Sequence, residues 1–302
     1  MGPTPNQQSS TNSIQNLADQ RFSQMITTRV LASVLLGVNE QVNCGNCVSA
    51  FGSAGSFTAG IHGRYNITDS LSILGGIAYA KFDDNGFNVT SAPIGAFALR
   101  YDFTQWGKSR PFFDVGAVLS PNQHVSYMRS YISSIGPTQV TSDTRSSNYS
   151  VFERAGWIVR VTPRDEFAVS GELWQGWQRV RGYQEITTLA NPFSASIADS
   201  TDRINLARIG AQWTHLFGSF IEVNVNGGFV QSFASSTGLQ AAVVGVGNIL
   251  PTFGNQGWFE LGGRVGARLS KNITADVFVN GTLGPYPVGN TVHGGLGLRL
   301  NY

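Results

Sequence analysis

The sequence predicts an all-β protein, a transmembrane antiparallel up-and-down β-barrel of about twelve strands. Three features of the 302 residues support this prediction. Runs of alternating apolar and polar residues recur along the chain, most of these runs are long, and the segments between them alternate between short and long. A strand of a soluble domain usually has about five or six residues, whereas about nine to eleven tilted residues cross a bilayer. The run lengths therefore favour strands that span a membrane.

Composition argues against several other classes of protein. Charged residues make up 13% of the chain and 36 of its 302 residues are glycine, against roughly 25% and 7% in an average protein. The formal net charge is +2, and no dense run of Lys and Arg offers an electrostatic basis for binding nucleic acid. The longest apolar stretch, residues 30–38, is too short for a membrane-spanning helix. We expect no cofactor.

Eleven segments alternate with a period of two, as strands with two different faces do. They are residues 55–66, 71–82, 92–103, 111–120, 147–161, 166–179, 203–217, 219–230, 256–269, 272–282 and 291–302. Bacterial barrels of this kind have an even number of strands. A further strand is therefore expected upstream, at residues 29–40, where apolar and small residues also alternate. The competing interpretation is that this run continues a preceding helix.

The connections between these segments fall into two size classes. Short ones cover residues 67–70, 105–110, 162–166, a break near 218, and 270–272; longer ones cover 83–91, 121–146, 180–202, 231–255 and 283–290. Short and long connections alternate along the chain, so each class lies on its own rim of the sheet. Short periplasmic turns and long extracellular loops are typical of outer-membrane barrels.

A helix is predicted before the barrel, at residues 13–28, with Asn12 or Ser13 as its N-cap. Its apolar positions follow helical spacing, and its other positions are polar, which suits a helix inside a hydrated lumen. The residues that we assign to this pore helix are Ile14, Leu17, Asp19, Arg21, Phe22 and Met25. Residues 1–12 are expected to be a linker or remnant without a secretory signal, and residues 29–302 the barrel. The alternative is a helix that rests on the periplasmic rim.

The two faces of the predicted strands differ in chemistry. One face carries apolar residues such as Val115, Val225 and Leu261, which we expect to contact lipid, with aromatic residues near the strand ends at headgroup depth. The other face carries charges of both signs, which can pair across a water-filled lumen. Side chains predicted to line the pore are His62, Arg64, Arg154, Arg160, Glu172, Glu222, Asn224, Glu260, Arg264, Arg268, Asp276, His293 and Arg299.

The two cysteines of the chain, Cys44 and Cys47, form a CGNC motif. A lone CxxC is compatible with a small disulfide, an idle thiol pair or half of a metal site. No second CxxC or HxxxH lies at metal-binding spacing, so we predict a loop disulfide and no metal. With a first strand at residues 29–40, the motif is expected in the first external loop.

These residues together resemble a known family, the C-terminal translocator domains of monomeric autotransporters of Gram-negative bacteria. The resemblance rests on the NSIQNLADQRFSQM segment before the first strand, on about twelve strands with sorted loops, and on the terminal GGLGLRLNY. It implies a helix through the pore, a passenger polypeptide fused upstream, and a last strand that the barrel-assembly machinery recognises through Leu298, Leu300 and Tyr302. We then expect a monomer in outer-membrane lipid with its loops facing the cell exterior.

Other functions are weighed against export. Nucleophilic or acid-base catalysis needs a Ser, a His and an acidic residue brought together. His62 and His293 are expected to face the lumen on neighbouring strands, but no GxSxG or HExxH motif accompanies them, so we predict that the protein is not an enzyme. A passive outer-membrane porin, a structural or adhesive surface barrel, and a soluble all-β binding protein remain as alternatives.

Overall fold

The computed structural model describes residues 3–37, 46–54, 57–84 and 86–302. In this part of the chain one helix, α1 (Pro5–Leu35), precedes all of the strands. The strands are β1 Cys47–Ala54, β2 Phe57–Asn66, β3 Leu71–Asp84, β4 Phe87–Asp102, β5 Ser109–Ser133, β6 Gly136–Arg160, β7 Asp165–Val180, β8 Tyr183–Gln184, β9 Ala195–Ile197, β10 Ser200–Phe217, β11 Ile221–Ser232, β12 Ala241–Val243, β13 Gly247–Ile249, β14 Gly257–Arg268, β15 Ile273–Leu283 and β16 Thr291–Asn301.

Twelve of these strands form one closed antiparallel barrel. Around the barrel the order is β1 to β7, then β10, β11, β14, β15 and β16, and β16 pairs back onto β1. In the closing pair Cys47 lies opposite Asn301, and Ala54 lies opposite Gly294. A closed sheet has no free edge, so each strand finds its backbone hydrogen bonds on both sides without water. The predicted twelve-stranded barrel with an N-terminal helix is confirmed.

The position predicted for the first strand is wrong. Residues 29–35 belong to α1, residues 38–40 lie outside the described residues, and β1 is the strand that closes the barrel. Leu31, Ala32 and Leu35 are all buried, because the barrel encloses this helix on every side. A helix with no face toward bulk water loses the periodicity that would identify it, so the competing helical interpretation of residues 29–35 is the correct one.

The connections sort onto two rims, as predicted. The rim that we call the short-turn rim carries residues 67–70, 103–108, 161–164, 218–220 and 269–272. Tyr302 lies at this same rim, where its backbone N–H donates to the Asn46 carbonyl at 3.1 Å. Cys47 therefore lies at the short-turn rim, and its predicted place in a loop of the opposite rim is wrong. Cys44 lies outside the described residues, and the disulfide stays a prediction.

Residues 121–146, predicted as a loop, instead continue a β-hairpin at the long-loop rim. Strands β5 and β6 each have 25 residues, more than twice the length that crosses a bilayer. The pairing shifts between Ser120 and Gln123, and Asn122 has a φ of 52°. Pro121 cannot donate a ladder hydrogen bond, so Pro121 and Asn122 form a bulge within a strand that continues. Residues 83–91 are likewise mostly strand.

The two longest connections contain a second, small sheet. It has the order β13-β12-β9-β8 and lies in the segments between β7 and β10 and between β11 and β14. Ala195, Ile197, Ala241 and Val243 are buried beneath it. Within the described residues, no helix is both long and apolar enough to cross a membrane.

The outer surface of the barrel between the two rims is apolar. Ile77 is 64% exposed and Val225 is 51% exposed on this face, and Leu298, Leu300 and Tyr302 also point outward. Such a band would be unstable in water but matches the hydrocarbon of a bilayer. One carboxylate, Glu153, interrupts the band opposite Leu173.

Candidate functional site: the helix-filled lumen

Helix α1 begins at Pro5, earlier than the predicted Ser13, because a capping box starts it there. The Thr4 hydroxyl accepts the backbone N–H of Gln7, and the Gln7 side chain accepts the backbone N–H of Thr4 at 2.8 Å. Pro5 has no N–H to satisfy in the first turn. The helix has 31 residues and so is about 46 Å long at 1.5 Å per residue, enough to pass through most of the barrel.

The N-terminal part of α1 is held by the long-loop rim. The side chain of Gln7 donates to the Gly245 carbonyl at 2.7 Å, and that of Gln15 donates to the Thr252 carbonyl at 2.8 Å. Arg129 of β5 donates to the hydroxyl of Ser13 at 3.1 Å while it pairs with Glu185. These loops therefore fasten the helix at the mouth of the barrel.

A polar layer surrounds the middle of α1. Arg21 is fully buried; it donates to the Ser200 hydroxyl at 2.7 Å and lies 3.6 Å from an Asp202 oxygen. Gln24 donates to Gln123 at 2.6 Å and to Ser146 at 2.8 Å. Burial raises the pKa of the nearby Tyr183 phenol in β8.

Arg29 of α1 pairs with two carboxylates of the barrel wall. Its guanidinium donates to Glu172 at 2.8 Å and to Glu260 at 2.5 Å, and it lies 5.1 Å from the centre of the Trp174 ring. Glu260 also accepts from Arg208 at 3.1 Å. Charge-assisted pairs of this kind are strong when water is largely excluded, and here they join one side chain of the helix to two different strands.

The apolar residues predicted for the helix are buried together. Ile14, Leu17, Ala18 and Met25 are each at most 6% exposed. Phe22 packs edge-on against Phe253, and also against Trp258. Asp19 is half-buried and accepts from Gln15 at 3.2 Å. The interface between helix and wall thus mixes an apolar side with polar layers.

Most side chains predicted to line the pore lie on the inner face of the barrel. Four of them, Glu222, Arg264, Asp276 and Arg299, form one cluster in which Arg264 contacts both carboxylates and Arg299 lies within 3.7 Å of each. The others on this face are His62, Arg64, Arg154, Glu172, Asn224, Glu260 and His293. Charges on neighbouring strands therefore neutralise one another within the wall.

The lumen below the end of α1 is rich in arginine. The helix ends near Gly37, whose φ is 57°. Beyond it, a narrow cavity is lined by Arg64, Arg100, Arg110, Arg154 and Arg208 together with Glu166. Asp102 pairs with Arg64 at 3.1 Å and with Arg100 at 3.2 Å, Asp114 pairs with Arg154, and Glu260 accepts from Arg208.

Two predicted positions differ from expectation. Arg160 and Arg268 lie at the short-turn rim and are exposed to solvent, because the inner face opens there. His62 and His293 are not on neighbouring strands: β1 lies between β2 and β16. His62 is level with Arg299, six residues along β16 from His293, or about 20 Å. The constellation considered for catalysis is therefore not formed.

Sequence patterns missed several of the charged groups in the lumen. The alternating pattern places Arg29 in a strand, and the predicted pore-lining residues do not include Asp102, Asp114, Arg208 or Asp202. Asp102, Asp114 and Arg208 lie at inward positions of the alternating runs. Counting every second residue along each strand identifies them as inward-facing. Asp202 and Arg29 can be placed in the lumen only when the first residue of β10 and the last residue of α1 are known, and a period-two pattern does not show where these elements begin and end.

These observations define a class of protein: a closed twelve-stranded outer-membrane-type barrel whose lumen is filled by its own N-terminal helix. No protein-family model matches the sequence, and no curated protein sequence matches it. Among solved structures, it is similar to the translocator domain of the autotransporter NalP from Neisseria meningitidis, with a TM-score of 0.66 and 9% identity over 94% of this chain and 98% of that one.

It is also similar to the transport unit of the autotransporter AIDA-I from Escherichia coli, with a TM-score of 0.51 and 15% identity over 93% of this chain and 98% of that one. At such identities the likeness concerns the fold. The fold is shared with these two translocator domains, as the resemblance of the sequence to that family led us to expect.

Proposed function

We propose that the protein is the translocator of an autotransporter: an outer-membrane pore and anchor through which a polypeptide attached upstream of α1 reaches the cell surface. The observation that supports this most is the course of α1. The helix begins at the long-loop rim and ends near the short-turn rim. The chain therefore passes through the lumen before it forms the first strand of the barrel wall. A polypeptide attached before Pro5 would emerge among the long loops.

The contacts of α1 suit a plug that forms after transport. A helix with its side chains is about 10–12 Å wide, so the lumen that it occupies is wide enough for an extended chain. Arg21 and Arg29 pair with wall carboxylates and Gln24 donates to Gln123, beside an apolar side of the helix that packs on the wall. Such polar contacts can be exchanged for water, which lowers the cost of moving a chain through the same space.

The orientation and assembly of the barrel follow from the same proposal. The long loops face the cell exterior, the short turns face the periplasm, and the barrel works as a monomer. Tyr302 at the short-turn rim, with Leu298 and Leu300 outward on β16, is then the element that the barrel-assembly machinery recognises. A C-terminal aromatic at the periplasmic interface is also an anchor for headgroups.

Conductance in planar bilayers tests whether α1 is a removable plug. The full chain is compared with a variant that lacks residues 1–35, and a variant that lacks residues 1–3 is the control, because the capping residue Thr4 and the helix remain. We expect a larger single-channel conductance only for the first variant. Equal conductance of all three folded proteins would contradict a helix-filled pore.

Export itself needs a second experiment, because a porin would also conduct. A small soluble domain with a secretory signal is fused before Pro5, and its exposure to external protease is measured in intact cells. Surface exposure supports a translocator. Retention of the fused domain in the periplasm, with the barrel correctly assembled, would favour a passive porin.

A further inference from the structure

A group of arginines lies on the outside of the barrel, near the long-loop rim. Arg145 is in β6, Arg179 in β7 and Arg203 in β10, Arg181 directly follows β7, and all four are exposed. We call them the outer arginine cluster. His124 of β5 is exposed on the same face, directly opposite Arg145.

The register of the strands brings these side chains close together. The backbone N–H of Arg181 donates to the Arg145 carbonyl at 2.9 Å, so the two residues face each other across neighbouring strands. Arg179 lies opposite Thr201, two residues from Arg203 on the same strand. Neighbouring strands are about 4.8 Å apart, so His124, Arg145 and Arg181 form a row about 10 Å wide.

Like charges directly opposite in an antiparallel pair destabilise a sheet, so a cluster of arginines on one face calls for an anionic partner. Among the described residues, no ion pair involves any of the four arginines. Arg145 donates to the Asn122 side chain at 3.3 Å. No described ion pair joins the nearby Asp143 or Asp199 to the cluster; Asp143 accepts from Ser126, and Asp199 accepts the Gly182 backbone N–H.

The height of the cluster on the barrel matches one leaflet of a membrane. Tyr149 and Trp177 lie opposite each other on the outer face, and Arg203 is level with Trp177 on the next strand. Aromatic residues of this kind mark the boundary between hydrocarbon and headgroups. Below it Val151 and Leu173 face outward and are half exposed, and Arg179, Arg181 and Arg145 lie above.

We propose that the outer arginine cluster binds the phosphates of a membrane lipid in the leaflet on the long-loop side. Arginine forms paired hydrogen bonds with phosphate oxygens, and the acyl chains would lie on the apolar surface below. One phosphate fits between Arg145 and Arg181. A single phosphate cannot also reach Arg203, which lies closer to the hydrocarbon, level with Trp177. The cluster therefore fits a lipid headgroup that carries two separate phosphates.

Native mass spectrometry of the full chain in detergent tests this proposal, with lipid A carrying two phosphates, its monophosphorylated form, and phosphatidylcholine as probes. We expect binding in that order of affinity. Replacing the cluster with R145Q/R179Q/R181Q should weaken binding of the two-phosphate form by at least about tenfold, because charge-assisted hydrogen bonds are lost. R145K/R179K/R181K should keep most of it. Folding is checked by heat-modifiable gel migration.

The matched control is K108Q/R164Q/K271Q, which removes three exposed charges from the short-turn rim; its affinity should stay within about twofold of the original. Wild-type affinity in the R145Q/R179Q/R181Q variant, an equal loss in the control, or equal binding of phosphatidylcholine would overturn the proposal. Complete displacement of bound lipid A by inorganic phosphate would show that the cluster recognises phosphate alone and not a lipid. If the triple variant does not fold, R145Q and R181Q are measured singly, each with a smaller expected loss. The proposal requires a barrel in a membrane but no export of polypeptide.

Discussion

Removing the guanidinium of Arg29 should open the pore without unfolding the barrel. In Arg29→Gln, Glu172 loses its hydrogen-bond partner in the described structure, and Glu260 keeps Arg208 at 3.1 Å and the Trp258 indole at 3.2 Å. Glu172 is 7% exposed. With the helix in place, the substitution therefore leaves Glu172 without its hydrogen-bonded partner, although Arg154 and Arg208 stay opposite it on the neighbouring strands. Once the helix has left, water can solvate this carboxylate.

The size of the effect follows from these contacts. Breaking a buried ion pair by removing one partner costs about 3–5 kcal/mol. Because Glu260 keeps two partners and Arg154 and Arg208 stay opposite Glu172, we expect a cost at or below the lower end of this range, about 2–3 kcal/mol against the plugged state. This corresponds to a shift of roughly 30- to 160-fold toward the open state.

Single-channel recordings measure this shift as the fraction of time spent at the conductance of the helix-free variant. Ser33→Ala is the control, because the Ser33 hydroxyl donates only within the helix, to Val30. Adding Glu172→Gln to Arg29→Gln should restore much of the plugged state, since removing both partners of a pair is nearly neutral. An open fraction within twofold of the original in Arg29→Gln, or no recovery in the double variant, would refute this explanation.

Three further predictions concern the barrel itself. Ile77→Arg places a charge in the middle of the outer band and should lower the free energy of unfolding, measured in vesicles, by about 2–4 kcal/mol. The control Ser219→Arg, in a turn, should leave this free energy nearly unchanged; equal effects of the two substitutions would indicate a barrel surrounded by water. Gly116→Ala forces a Cβ against a neighbouring strand and an aromatic ring and should cost about 1–3 kcal/mol in urea titrations, whereas Gly95→Ala has open space and should cost little. Deleting Tyr302 should impair assembly in cells more than refolding in detergent; equal losses would leave only an interfacial anchor.

The alternation of β16 illustrates what local sequence determines. Leu298, Leu300 and Tyr302 face outward, and Arg299 between them is buried on the inner face. Each strand of a barrel has lipid on one side and lumen on the other, so every second residue reports its surroundings. The face of most pore residues follows from this rule, and the number of strands follows from it together with the even strand count of bacterial barrels.

The ends of the elements and the partners of the charges required the folded barrel. Residues 29–35 are helical because the closed wall buries them on all sides, and Pro121 interrupts a pattern without ending a strand. The pairing of Arg29 with Glu172 and Glu260, and the meeting of Arg145 with Arg181, depend on register between segments far apart in the chain. Composition and the alternation of apolar and polar residues indicate the environment of each residue. A specific contact is decided only when the barrel closes, because the register of the strands then sets which residues lie side by side.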